Sequence, residues 1–289
     1  MIASTYQSVQ LQINQIKNLP ALPEASVKIL EAINDPDIDI RKLVNVISLS
    51  PGLVARLLGL SNSAFFGQMR QVDDLETAIV RVLGLQLVRS LTLGILLNVQ
   101  LDPKQCRGFD SQSFWTHSLM TAVAAQKLTD CANSWPSLSA ANAYTNGLLL
   151  NIGLLVMAYI CPTELDEIVL KESKNFLQIE NEIKDLIGLT HYQMGYLLLK
   201  KWRLPETYQT TLQHFDSGDL LEAHSEMNRC MHVSQRICNF ILDEAFEQDK
   251  ISQIAAQEHL QLDTVTTVCN ALFQNRENIQ KLASEMRSS

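Results

Sequence analysis

The apolar residues of this chain recur at the spacing of an α-helix over almost its whole length, and this spacing restricts the fold more than any other feature. Four of them share one helical face at positions i, i+3, i+4 and i+7: Ile40, Leu43, Val44 and Ile47. Asp39 stands directly before them, where its carboxylate can cap the first turn. We find no convincing alternating strand pattern and no Asn-Gly hairpin. The sequence therefore predicts an all-α protein.

Local signals predict where several of these helices begin and end. Ser50 precedes Pro51, so we expect the serine to accept free amide hydrogens while the proline takes the first helical position, which needs no N–H. A further helix should begin at residues 73–74 and break at Gly84. Residues 85–99 then predict a strongly apolar helix.

Composition and charge restrict the class of partner. The chain has 289 residues, and its hydrophobic content of 46% gives it enough apolar residues for a large core. Its 23 basic and 31 acidic residues give a net charge of −8. A phosphate backbone requires clustered Lys and Arg, so we expect no nucleic-acid partner.

Cysteine spacing and apolar runs indicate a soluble, cytoplasmic protein. Six cysteines are scattered without a C-x-x-C pair, so we expect reduced and mostly buried thiols. The first 15 residues are polar and do not resemble a secretory signal. The longest apolar stretch, residues 147–161, is shorter than the roughly 20 residues of a membrane span. We predict that it is a buried core helix and that the protein has no membrane partner.

A change in composition near residues 101–108 predicts a joint between two units. We place an N-terminal helical subdomain at residues 1–105 and a second helical subdomain at residues 106–289. The linker is short, so we expect an extensive interface between an N-terminal bundle and the bundle packed against it.

Several short motifs, taken together and in order, resemble the HDOD family, the HD-related output domain branch of the HD-domain phosphohydrolase superfamily. They are LPALP at 19–23, SNSAFFG at 61–67, AI at 78–79 with LG at 83–84, WTHS at 115–118, GLL at 147–149 with IG at 152–153, and WRLP at 202–205. The resemblance covers residues 19–214, roughly two thirds of the chain. It implies a bacterial signal-transduction protein with an HD-like helical bundle, in a family usually without demonstrated enzymatic activity.

The resemblance also implies where the metal ligands of an HD hydrolase would stand. His117 matches the first histidine, whereas Leu150 and Asn151 occupy the positions of the His-Asp doublet. His191 resembles an additional histidine of two-metal relatives, and His214 resembles a His-His pair that has lost its second member.

Ser234 stands near the place of the terminal aspartate. An aliphatic side chain cannot coordinate a metal, and an amide removes the negative charge that offsets the charge of the ion. We therefore predict a vestigial HD site without catalytic residues, metal or cofactor, and hence a pseudo-enzyme.

For the remaining histidines the structural interpretation is preferred. We expect His117 to be a hydrogen-bonded core residue, and His191 and His214 to be partly exposed structural residues. Residual metal binding by the three imidazoles stays open as the minority alternative.

Other motifs indicate no classical enzyme site. The chain contains no G-x-S-x-G elbow, no G-x-G-x-x-G and no Walker-type loop. Residues 78–90 imitate a helix-turn-helix, but their second helix is apolar with Arg89 as its lone base, so packing explains the pattern better. Asn62 is predicted to cap a helix end or contact a neighbouring segment, holding the two units together; a ligand-recognition role is the minority alternative. Phe65, Phe66 and Gly67 are predicted to form a wedge and a turn.

Three functional hypotheses remain from the sequence. The first is a non-catalytic signalling module that binds a protein partner, with or without a small regulatory ligand. The second is a divergent metal-dependent phosphohydrolase acting on a nucleotide or cyclic dinucleotide, with carboxylates supplied by Asp130, Asp166 or Asp216. The third is a pseudo-enzyme that still binds a nucleotide in the old cleft.

Overall fold

The computed structural model of the chain describes residue 17 and residues 19–67, 71–131, 135–172, 180–216, 225–242 and 248–287. Within these residues the protein is helical and contains no strand, as the apolar spacing predicted. In chain order the helices are α1 (Glu24–Asn34), α2 (Ile40–Ile47), α3 (Pro51–Ser61), α4 (Leu75–Leu83), α5 (Leu85–Gln100), α6 (Ser111–Cys131), α7 (Ala140–Leu149), α8 (Ile152–Ile160), α9 (Pro162–Glu172), α10 (Glu180–Ile187), α11 (His191–Lys201), α12 (Glu206–His214), α13 (Glu226–Leu242), α14 (Gln248–Gln257) and α15 (Leu262–Met286). A short 3-10 turn, Ala64–Phe66, follows α3.

The helix starts follow most of the local signals. The Asp39 carboxylate accepts a hydrogen bond from the Lys42 amide at 2.8 Å, which caps α2. α3 begins at Pro51, but the Ser50 side chain makes no capping bond, so the prediction of its hydroxyl as a cap was wrong. The chain turns by 118° between α4 and α5 at Gly84.

Helix α6 is the centre of the core. It packs against α7, α13 and the C-terminal α15. The buried apolar residues form one continuous cluster that includes residues on both sides of position 105, so the predicted subdomains share a core. The boundary itself stays a prediction.

The apolar stretch Ala140–Ile160 is 21 residues long and apolar enough to cross a membrane. However, 89% of its most apolar window is buried inside the protein, and the chain changes from α7 to α8 at Asn151. The burial matches the predicted core position, whereas the single helix predicted over residues 147–161 is divided into two helices. All six cysteines are free; five are buried and Cys131 is exposed.

Asn62 ends α3 and joins it to a later segment. Its side-chain Nδ2 donates to Leu58 O at 2.9 Å and Val72 O at 2.7 Å, and its Oδ1 accepts from Val72 N at 2.7 Å. These partners all precede residue 105, so Asn62 caps a helix and fixes a neighbouring segment but does not itself hold the two units together. The adjacent 3-10 turn, which carries Phe65, packs against α15 instead.

Candidate functional site

Two family-motif glycines allow the helices around the predicted site to approach closely. A Cβ on Gly147 of α7 would lie 2.7 Å from Ala122 Cα of α6. A Cβ on Gly153 of α8 would lie 1.7 Å from His191 O at the start of α11. Since no larger residue fits at either crossing, these glycines bring α6, the α7–α8 junction and α11 together.

Local hydrogen bonds then fix the side chains that meet there. Thr190 and Gln193 form a reciprocal capping box at the start of α11, with bonds of 3.2 and 3.1 Å, and this places His191 in its first turn. On α6, Trp115 donates its indole N–H to Asn98 Oδ1 at 2.8 Å, which orients the helix that carries His117.

The Asn151 amide lies between two imidazoles. Its Nδ2 is 3.1 Å from His117 Nδ1, and its Oδ1 is 3.2 Å from His191 Nε2. An amide nitrogen can only donate and an amide oxygen can only accept. His117 Nδ1 is therefore an acceptor, and His191 Nε2 carries a hydrogen.

Helix α13 completes this arrangement with two further amides. Asn239 Oδ1 lies 2.9 Å from His117 Nε2 and accepts its hydrogen, and Gln235 Nε2 donates to Asn151 Oδ1 at 3.4 Å. Gln235 Nε2 also donates to Tyr192 OH at 3.2 Å. We name these residues the amide–histidine cluster: His117, Asn151, His191, Gln235 and Asn239.

Burial keeps both imidazoles of the cluster neutral. His191 is fully buried, and this burial, together with the smaller effect of the neighbouring His117, lowers its pKa to about 3. Burial likewise lowers the pKa of His117, although the hydrogen bond to Asn239 acts in the opposite direction. His191 Nδ1 is buried and has no partner among the described residues, so one acceptor of the cluster is unsatisfied.

The structure brings together three of the residues singled out from sequence: His117, Asn151 and His191. His117 is a buried, hydrogen-bonded core residue, as predicted. His191 was predicted to be partly exposed, and this was wrong because the close approach at Gly153 seals α11 against α8. Leu150 is buried in the apolar core.

The other two predicted positions lie differently. Ser234 is buried, but its hydroxyl donates to Cys230 O of its own helix at 2.6 Å and not to the cluster. His214 is half-buried at the end of α12. Sequence reasoning missed Gln235 and Asn239, which stand one residue and five residues after Ser234 and reach the cluster instead.

A cleft of about 600 Å³ opens beside the cluster. His117 and Asn151 lie on its wall with apolar side chains from four helices, including Phe114, Leu154 and Leu242. Polar residues from the start of α6 and from α15 also line it: Asp110, Gln112, Ser113, Arg276 and Gln280.

The carboxylates proposed for a divergent hydrolase do not join the cluster. Asp166 accepts hydrogen bonds from Gly108 N at 2.7 Å and Arg107 N at 3.1 Å. Burial raises the pKa of Asp166, but these bonds and one from Cys106 outweigh it and leave the pKa below its ordinary value. Asp130 and Asp216 are exposed. Within the described residues, no group of three or more His, Cys, Asp and Glu side chains could hold a metal ion.

The donor set does not fit the divalent metal of an HD hydrolase. Both Nε2 atoms of the cluster already donate to amide oxygens, and the cluster contains no carboxylate. A metal would have to displace two hydrogen bonds and would find no anion within the cluster to offset its charge.

Comparison with known proteins places this architecture among helical HD-like folds. The structure is similar to a candidate phosphohydrolase of Shewanella amazonensis SB2B, with a TM-score of 0.77 and 21% identity over 96% of this chain and 98% of the other. It is also similar to an HDOD domain protein of Geobacter sulfurreducens, with a TM-score of 0.71 and 20% identity over 98% and 99% of the two chains. At these identities the likeness shows the fold.

The sequence comparisons identify the family. A protein of Treponema pallidum (strain Nichols) is 30% identical over 205 residues, which are 69% of this chain and 38% of that protein. The chain thus spans well under half the length of this relative. The family model described as the HDOD domain matches residues 19–217. This match includes the motifs around His117, Asn151 and His191, and the chain belongs to the HDOD family.

Proposed function

We propose that this protein is a non-catalytic bacterial signal-transduction module that acts through protein–protein association, and that the amide–histidine cluster is a vestigial metal site. The observation that carries the proposal is the direction of the hydrogen bonds. His117 Nε2 and His191 Nε2 each donate to an amide oxygen, at 2.9 and 3.2 Å. Both Nε2 nitrogens are thus occupied by a neutral network, and His191 Nδ1 is the imidazole nitrogen of the cluster that has no partner among the described residues.

Hydrolysis of a phosphodiester in an HD-type site needs a metal-activated water. The carboxylates of such a site offset the charge of the ion and help to hold it. Here the position of the doublet aspartate is Asn151, whose amide oxygen already accepts from His191 and Gln235. The cluster is therefore suited to orient helices rather than to activate water.

The test of this proposal is metal content together with turnover. We expect purified protein to contain less than about 0.1 transition-metal ion per chain, since structural and catalytic sites need anionic or free imidazole donors. Generic phosphodiesters and cyclic dinucleotides should not be hydrolysed when Mn²⁺ or Ni²⁺ is added. One or two ions per chain that disappear in His117→Ala and His191→Ala, with matching turnover, would establish the divergent phosphohydrolase instead.

A groove between two family motifs supports association with a protein. Lys201 Nζ donates to Leu19 O at 2.7 Å and Trp202 Nε1 donates to Pro20 O at 3.1 Å, which joins the first motif to the last. The groove beside this contact has a volume of about 470 Å³. Val27 lines it and is 38% exposed, so an apolar contact is available to a partner.

The groove is tested with a matched pair of valine variants. Val27→Asp places a charge in the groove, and Val99→Asp places the same charge on an exposed position of α5 outside it. Affinity purification from the native cell with mass spectrometry should recover the same partners with wild type and Val99→Asp and lose them with Val27→Asp. Equal recovery with all three would remove the groove from the proposal.

The cleft beside the cluster supports a small regulatory ligand as the second candidate. Its volume of about 600 Å³ lies within the range of small-molecule sites, roughly 300–1,000 Å³. A panel of nucleotides should then raise the midpoint of thermal unfolding for one member and leave it unchanged for the rest. A flat response across the panel would leave association as the whole function.

We place the protein in the cytoplasm.

A further inference from the structure

A second, smaller pocket lies where the N-terminal helices meet the later ones. Its volume is about 200 Å³. One side comes from the end of α1, the following loop and α5, and the other side comes from α7 and α12. Its polar lining consists of Asn34, Gln86, Arg89, Ser90, Asn142, Thr145 and Tyr208. No carboxylate is among the lining residues.

Arg89 gives this pocket a positive charge, and no Asp or Glu of the described residues lines the pocket beside it. Its Nη2 donates to the backbone oxygen of Asp35 at 2.6 Å, which holds the guanidinium in place. Its Nε is buried and has no hydrogen-bond partner among the described residues. The nearby Asp35 carboxylate accepts from Asp37 N at 3.0 Å and does not line the pocket.

The hydroxyl groups of the pocket are fixed in position. Ser90 Oγ and Thr145 Oγ1 are 2.7 Å apart, and each also lies within hydrogen-bond distance of a helix carbonyl, Gln86 O at 3.1 Å and Ala141 O at 3.0 Å; their two hydrogens serve two of these three contacts at a time. Burial raises the pKa of Tyr208, and this outweighs the opposite effects of Thr145 and Arg89. Tyr208 therefore keeps its hydrogen at neutral pH, and a bound anion would compete for it with Thr145.

Three side-chain amides add further donors. Among the described residues, no partner bonds to the side-chain amides of Asn34, Gln86 and Asn142. The bonds from Ser90 and Asn146 go to the backbone oxygens of Gln86 and Asn142. Each amide nitrogen carries two hydrogens. The pocket thus combines one guanidinium, one phenol and up to three amides around a space without a competing carboxylate.

We propose that this pocket binds a small oxyanion, either inorganic phosphate or a short carboxylate, through Arg89 and Tyr208. Guanidinium groups pair with both anions through charge-assisted hydrogen bonds, which are stronger than neutral ones. The volume of about 200 Å³ is below the range of sites for drug-sized ligands, so a nucleotide does not fit.

Because of the position of the pocket, a bound anion would contact both units of the protein. Arg89 belongs to the N-terminal unit, whereas Tyr208 and Thr145 belong to the second unit. A bound oxyanion joins the two units across their interface, and binding therefore stabilises their packed arrangement.

The test is an anion titration of the full chain, followed by thermal unfolding. Sodium phosphate and sodium acetate are titrated separately, with sodium chloride keeping the ionic strength constant. At about ten times the Kd, we expect the unfolding midpoint to rise by about 2–4 °C. A rise with phosphate alone identifies a tetrahedral anion, and a rise with acetate identifies a carboxylate. No rise with either anion overturns the proposal.

Three variants locate the effect. Arg89→Gln should raise the half-saturating anion concentration at least about 10-fold, because a charged hydrogen bond is lost. Arg81→Gln removes the same charge from an exposed position of α4 outside the pocket and should leave the concentration unchanged. Since Arg89 also holds the Asp35 carbonyl, Tyr208→Phe provides a second test and should raise the concentration about 2- to 10-fold. Equal anion responses in wild type and in Tyr208→Phe or Arg89→Gln would overturn the site.

Discussion

Two helix junctions, at Asn62 and at Asn151, use the same side chain in nearly the same backbone conformation. Asn62 ends α3 with φ −88° and ψ 0°, and Asn151 precedes α8 with φ −100° and ψ 13°. The Asn62 amide is exposed and bonds to backbone atoms of Leu58 and Val72. The Asn151 amide is 2% exposed and bonds to side chains from three other helices.

The difference shows how one residue type can serve a local or a tertiary role. Backbone partners are present whatever the neighbouring side chains are. Asn62 can therefore cap its helix wherever the helix ends beside another segment of backbone. Asn151 must donate to His117 and accept from His191 at once. An amide can do both, whereas an ionised aspartate can only accept. Asparagine at position 151 therefore favours a neutral, hydrogen-bonded cluster.

The largest expected loss of stability comes from a substitution that separates the helices at the Asn151 junction and keeps all of its polar side chains. In Gly153→Ala the new Cβ would meet His191 O and Gly195 N, at 1.7 and 2.8 Å, and both are backbone atoms that cannot move alone. We expect a loss of about 3 kcal/mol or more in the free energy of unfolding. Denaturant unfolding monitored by circular dichroism measures it, and a loss under 1 kcal/mol would contradict the close crossing.

Removing each amide in turn should distinguish the two junctions by the size of the loss in unfolding free energy. Asn151→Ala leaves His117 Nδ1, His191 Nε2 and Gln235 Nε2 without this partner in a buried site, so we expect a loss of about 2–4 kcal/mol. Asn62→Ala should lose about 1 kcal/mol, because Asn62 is exposed and water can replace its bonds in part, although the two bonds to Val72 are partly buried. Equal losses in the two variants, measured by the same unfolding experiment, would show that burial does not distinguish the junctions.

The pH dependence of stability should come from the Asn151 junction. The folded pKa of His191 is about 3, below the ordinary value of 6.5, so the unfolded chain binds more protons between these values. Stability is therefore greatest above about pH 6.5 and falls as the pH decreases toward 3. At pH 5 we expect His191 to cost about 2 kcal/mol relative to pH 7.

Two variants assign this pH dependence. His191→Gln should reduce the loss between pH 7 and pH 5 by about 2 kcal/mol and leave the part that comes from His117, whose pKa burial also lowers, whereas Asn62→Ala should keep the whole loss. Urea unfolding at the two pH values measures both. A loss in His191→Gln as large as in the wild type would mean that His191 does not contribute to this pH dependence.

The smallest effect is expected at a glycine in the first turn of α3, the helix that Asn62 ends. Gly52 lies in α3, and a Cβ there would meet nothing within 4 Å. Gly52→Ala should therefore stabilise the protein by about 0.5 kcal/mol through helix propensity. It is the matched control for Gly153→Ala, and destabilisation by more than 1 kcal/mol would contradict the open surroundings of Gly52.

Much of the fold follows from local sequence signals. The cap at Asp39, the start at Pro51 and the break at Gly84 depend on residues close in sequence, and the structure places helix ends there. The core position of residues 147–161 follows from an apolar run that Asn151 interrupts. The hydroxyl of Ser50 did not cap its helix, since residue type alone does not set a rotamer.

The candidate site was predictable only in part, because its geometry depends on tertiary contacts. The family motifs led to His117, Asn151 and His191, but nothing near Gln235 or Asn239 in sequence marks them as their partners. The burial of His191 had a usable signal in Gly153, a small residue beside Asn151 that allows another helix to come close.

The most direct measurement of the central claim is a long-range ¹H–¹⁵N NMR spectrum of the histidine side chains, recorded at pH 7 before and after addition of Zn²⁺. The hydrogen-bond directions predict that His117 and His191 are both neutral with the hydrogen on Nε2, and that one equivalent of Zn²⁺ leaves their nitrogen shifts unchanged. A stoichiometric shift of both Nε2 resonances on addition of Zn²⁺ would show that these imidazoles still form a metal site.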